Sequence, residues 1–160
     1  MKINSKNIME NTLLHIHSVL RYVVLFTALY AIYRSYTGFK GNKDFVKADT
    51  KAGTWFVMSV HTQFIIGIFV YIYSPIIATF LQEPKMGMKD SYIRFFAMEH
   101  VLVMLIAVVL ITIGKSKSKR AATDRAKHKK AFTFYLIGLL LILVSIPWPF
   151  IAKYSSRAWF

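Results

Sequence analysis

The chain has 160 residues, 56% of them hydrophobic, with a mean hydropathy of +0.45, a formal charge of +14 and no cysteine. Four long apolar runs argue against an ordinary soluble domain, and the absence of thiols excludes disulfide frameworks, thiolate metal sites, iron–sulfur clusters and c-type haem attachment. The basic residues sit just outside the apolar runs and form no stripe with interleaved aromatics. They read as topology signals and contacts with anionic lipid headgroups, and nucleic-acid binding is not expected.

The opening MKINSKNIMENT is polar and lacks the apolar core of a cleaved signal peptide. Spans are then expected at roughly 12–34, 54–75, 92–114 and 131–150, each near the ~20 residues that cross a bilayer. The first, LLHIHSVLRYVVLFTALYAIY, carries His15, His17 and Arg21. Residues two apart face nearly opposite sides of a helix, so only one of the two histidines can face a bundle centre. His17 is favoured because Arg21 follows one turn later on its face. His15 is the alternative, or an interfacial hydrogen-bonding group.

The link from Arg34 to Lys51 holds five basic residues against two acids. The second span, WFVMSVHTQFIIGIFVYIY, brings His61, Gln63 and Gly67 and ends near Pro75. The link ATFLQEPKMGMKDSY is nearly balanced in charge, and Asp90 or Ser91 can cap the helix that follows. That third span, FFAMEHVLVMLIAVVLITIG, contains Glu99 and His100 between Met98 and Met104, which suit core gap-filling. The link GKSKSKRAATDRAKHKK has eight basic residues against Asp124 alone, and its His128 is expected to be solvated. Thr123 or Asp124 can start the fourth helix, which contains Gly138 and closes at Pro147-Trp148-Pro149. Trp55, Trp148 and Trp159 fall at expected water–lipid boundaries.

Positive-inside bias places both basic links in the cytoplasm and both termini in the periplasm. Short links make successive spans antiparallel. The expected fold is therefore all-α, an integral membrane up-down four-helix bundle read as one transmembrane domain over 1–160, with the first and third spans diagonal.

At about 1.5 Å rise per residue, His17 lies roughly 25 Å above Arg34 and His100 roughly 21 Å above Gly114. Equal depth on diagonal helices suits two axial imidazoles on one b-type haem. Gly67 and Gly138 could admit a flat aromatic surface or serve close helix packing. Arg21 and Glu99 share a similar height and are expected to pair, as a helix-docking contact, a proton-handling carboxylate or an arginine held for a propionate. His61 is deeper, and three roles are open besides a satisfied core histidine. These are a quinone headgroup contact, proton movement with Gln63, and a contact to a haem edge. The fourth span offers no histidine or methionine, so a single haem is expected.

LLHIHSVLRY, VHTQFIIGIFVYIYSP, MKDSYIRFFAMEH and SIPWPF together resemble short four-span bacterial membrane proteins labelled cytochrome b-like, over about Asn11 to Phe150. A broader similarity extends to four-helix haem b proteins and the copper-resistance D family. The resemblance implies haem ligands among His15 or His17, His61 and His100, although two-haem members need two matched pairs and only one is clear here. The reading is a haem b electron-transfer protein of the bacterial inner membrane, exchanging electrons with a quinone or with a membrane or periplasmic partner. The rivals are a copper- or zinc-handling protein built on His17, His61, Glu99 and His100, and an accessory subunit whose polar residues only organise helix docking.

Overall fold

The computed structural model describes residues 5–151 and 154. Among them are the helices α1 (Ser5–Lys40), α2 (Lys47–Tyr73), α3 (Pro75–Gln82), α4 (Pro84–Lys89) and α5 (Ser91–Arg94). A single π turn (Phe95–Glu99) leads into α6 (His100–Lys119), and α7 is Asp124–Ser145. Four helical stretches are long and apolar enough to cross a membrane: Ile8–Lys40, Lys47–Tyr73, Ser91–Lys119 and Asp124–Ser145. Large apolar side chains such as Phe26, Leu29, Leu102 and Val144 are exposed on their outer faces. Such surface is stable against lipid and unstable against water. The protein is an all-α four-helix membrane bundle.

Helix α1 packs along α2 and α7, and α6 packs along α7 and α2, so α1 and α6 lie across the bundle from one another. The helix ends follow local chemistry. The Asp90 carboxylate accepts from the Tyr92 and Ile93 amides at 2.7 and 3.0 Å and caps α5, and the Thr123 hydroxyl accepts from Ala126 N at 3.2 Å to cap α7. Pro75 opens α3 at a position where its missing N–H costs nothing. The charge-balanced link is itself largely helical, in α3 and α4. The fourth span stops at Ser145, before the anticipated end, and Trp148 anchors the chain beyond it by donating from Nε1 to Leu143 O at 2.9 Å. Trp55 is exposed and stacks on Tyr30, whereas Trp159 lies outside the described residues.

The core is concentrated in the half of the bundle that carries the basic links. Val24, Ala28 and Ala31 of α1 and Ala52, Phe56 and Val60 of α2 meet Ala107 and Ile111 of α6 and Ala131, Tyr135, Leu139 and Ile142 of α7. The three-and-four spacing places each set on one helix face, and its small residues let the backbones approach closely. A Cβ on Gly138 would lie 2.3 Å from Ile111 Cγ1, so that glycine serves helix packing. Arg34 donates from Nε to Asp49 Oδ1 at 2.7 Å, and the other Asp49 oxygen accepts from Val46 N at 2.9 Å, which ties α1 to the start of α2.

His128 corrects an expectation. It is 1% exposed, at the start of α7, with its ring against Gly38 and 4.9 Å from the Phe45 ring. Lysines flank it in sequence, but helix geometry turns it inward while Lys129 and Lys130 are exposed. A Cβ at position 38 would come within 2.2 Å of the imidazole, so the ring occupies the space that Gly38 leaves.

Candidate functional site in the upper half of the bundle

In the half away from the basic links the helices separate around a cavity of about 310 Å³. Its floor is Val24, Val60, Ala107 and Ile142, the upper edge of the core, and its remaining wall is largely apolar. The polar groups bordering it include His17 and Arg21 from α1, Gln63 and Tyr71 from α2, and His100 from α6. Small-molecule sites have this character: mostly apolar, with a few placed polar groups, and about 300–1,000 Å³ in volume.

His17 and His100 therefore border one cavity from diagonal helices. His15 borders it too but is an exposed residue, whereas His17 is half-buried. Gln63 donates from Nε2 to the His17 carbonyl at 2.9 Å, fixing α2 against α1 beside the ring. Gly67 lies opposite that ring, and a Cβ there would stand 3.1 Å from His17 Cε1. At this glycine the missing side chain makes room for an imidazole.

His100 Nδ1 lies 2.8 Å from the Ser145 carbonyl oxygen and 3.3 Å from its hydroxyl. A carbonyl only accepts, so Nδ1 is the protonated nitrogen that donates to it. Anchoring one ring nitrogen to a carbonyl is how proteins hold a histidine that ligates through the other.

The π turn immediately precedes His100. Its wider coil brings residues five apart into register, and His100 N bonds to Phe95 O across it. This corrects the expected Arg21–Glu99 pair. Residues five apart diverge on a regular helix, but here Arg94 Nε donates to Glu99 Oε1 at 2.7 Å. Arg94 also donates from Nη1 to Met88 O at 2.9 Å. Glu99 faces outward at the α4–α5 corner and does not border the cavity, while Arg21 does. Equal depth had suggested a pair, and azimuth decided against it.

His61 is likewise outside the cavity. Thr112 spends its hydroxyl proton on Val108 O at 2.7 Å, so His61 Nε2, 2.9 Å from that hydroxyl, donates to it. The two-residue offset that separates His15 from His17 also separates His61 from Gln63, and Gln63 is the one that borders the cavity. Among the described residues no group of three or more histidine and carboxylate side chains is gathered in metal-binding proximity, so the four proposed copper or zinc ligands are not brought together. Met104 borders the cavity, whereas Met86, Met88 and Met98 are exposed.

Sequence reasoning missed Tyr71, which donates to Ala97 O at 3.1 Å and so braces the π turn from α2. It also missed the roles of Ser145 and Arg94. Ser145 carries no charge or periodicity that would mark it, and Arg94 becomes a partner of Glu99 only once the π turn is known. No family model, curated protein or solved structure matches this chain.

Proposed function

We propose that the cavity holds a single b-type haem between His17 and His100 and that the chain is an electron-transfer protein of a bacterial inner membrane. The observation that carries this reading is the convergence of two imidazoles from diagonal helices on one largely apolar cavity, with His100 Nδ1 committed to a backbone carbonyl. The donor set fits the group: two imidazoles, a glycine that makes room for one ring, and the guanidinium of Arg21 at the same cavity for an anionic substituent. The volume is at the low end for small-molecule sites. His17 of α1 and His100 of α6 would hold the group.

When bound, haem supplies one-electron chemistry at a potential set by its ligands and surroundings. The protein's part is to orient the rings, exclude water with the wall from Val24 to Ile142, and present Arg21. Electrons would pass to or from a quinone or a membrane or periplasmic partner. Inner-membrane placement with both termini periplasmic rests on the basic links.

Haem titration of the purified chain, followed by absorbance, tests the reading. A low-spin two-imidazole spectrum is expected for the wild type and for His61→Ala, and it should be lost in His17→Ala and in His100→Ala. An unchanged low-spin spectrum in His100→Ala, or no haem uptake by the wild type, overturns the assignment.

A further inference from the structure

At the opposite end of the bundle, α6 and α7 leave a cleft of about 250 Å³ between Ile113, Ser116, Lys117, Arg120 and Lys130. Positions 113, 116, 117 and 120 recur at three- and four-residue intervals and share one face of α6, with Lys130 facing them from α7. The cleft thus runs from an apolar side chain on the membrane-spanning part of α6 to three cations at its end. Two of the cations are held in place. Lys117 Nζ sits 5.2 Å from the centre of the Phe134 ring, and Arg120 Nη2 donates to the Ser116 hydroxyl.

Among the described residues no acid borders this cleft and none of its cations is in an ion pair. The one acid nearby in sequence, Asp124, is engaged with Lys127. The carboxyl end of α6 contributes about half a negative charge, which three full positive charges outweigh. We propose that this cleft binds one phospholipid with an anionic phosphate headgroup. The phosphate would sit among Lys117, Arg120, Lys130 and the Ser116 hydroxyl, with an acyl chain lying along Ile113. Basic pockets between membrane helices take such headgroups. Arginine and a hydroxyl add directed hydrogen bonds that a diffuse lysine surface lacks.

The test is native mass spectrometry of the full chain released from micelles doped with phosphatidylglycerol or phosphatidylcholine of matched chains. One phosphatidylglycerol should be retained in preference to phosphatidylcholine. Lys117→Gln with Arg120→Gln and Lys130→Gln should weaken that retention at least tenfold. Lys43→Gln with Lys47→Gln and Lys51→Gln removes the same charge from the other basic link and should change it less than twofold. If the first triple variant does not fold, Arg120→Gln alone should give about a fivefold loss. Equal losses from both triple variants, undiminished retention in the cleft variant, or displacement of the lipid by millimolar inorganic phosphate would each overturn the proposal.

Discussion

Gly67 and Gly138 both lie inside spans, and they leave room for different neighbours. A methyl group at 67 meets the edge of the His17 ring at 3.1 Å, which a swing of the imidazole by a few tenths of an ångström relieves. Gly67→Ala should therefore cost the fold less than about 1 kcal/mol, since alanine also favours helix by a similar amount. The same change should shift the absorbance or weaken the affinity of a haem bound through His17. At 138 the methyl would meet Ile111 at 2.3 Å in the closely packed core, and Gly138→Ala should destabilise by about 1–3 kcal/mol without touching the site. Thermal unfolding in detergent should thus respond chiefly to Gly138→Ala and haem titration chiefly to Gly67→Ala; a large stability loss in Gly67→Ala would contradict the account of its neighbour. The sequence drew attention to His17 and His100 because ionisable groups inside apolar spans are costly and rare. It hid His128, because a residue's inward direction is decided by tertiary packing and its sequence neighbours Lys127, Lys129 and Lys130 are all basic.

The π turn at Phe95–Glu99 shows what happens when an element departs from its regular period. Height along a helix follows from counting residues, and His17 and His100 border one cavity. Azimuth follows from residues per turn, and one wide turn is enough to pair Glu99 with Arg94 in place of Arg21. Pairs this exposed contribute about 0.2–1 kcal/mol. A double-mutant cycle of Arg94→Leu and Glu99→Gln should return a coupling in that range. The corresponding cycle with Arg21→Leu and Glu99→Gln should be additive within about 0.5 kcal/mol. Strong Arg21–Glu99 coupling in unfolding experiments would mean that the two side chains meet after all. Helices α3 and α4 were illegible for a different reason. Each is too short to show a period, and what orders them is tertiary: Arg94 reaches Met88 O, and an added Cβ at Gly87 would strike the Phe80 ring.

At the scale of the whole molecule, the architecture was readable from the alternation of apolar spans with unequal links, because bilayer thickness and backbone hydrogen bonding leave few alternatives. The sidedness is a separate inference from charge. A reporter active only in the periplasm should work when fused after Phe160 and fail when inserted within 115–123; the reverse pattern would move the cavity to the cytoplasmic half. Less legible was the uneven filling of the bundle. Alanine and glycine occur along all four helices, and only the assembled packing shows that Ala28, Ala31, Ala52, Ala107 and Ala131 close one half while the other stays open around His17 and His100. That asymmetry implies two kinetic territories in one chain. Opening fluctuations concentrate where side chains have fewest partners, so amide exchange should be fast near Gly67, Tyr71 and the 95–99 turn and slow around Phe56, Ile111 and Tyr135. A ligand at one hundred times its dissociation constant adds about 2.7 kcal/mol to the folded state. The local protection it confers should appear almost wholly in the first territory. The lower half is then a scaffold closed by its own side chains, and the upper half is the part that a bound ligand would firm up.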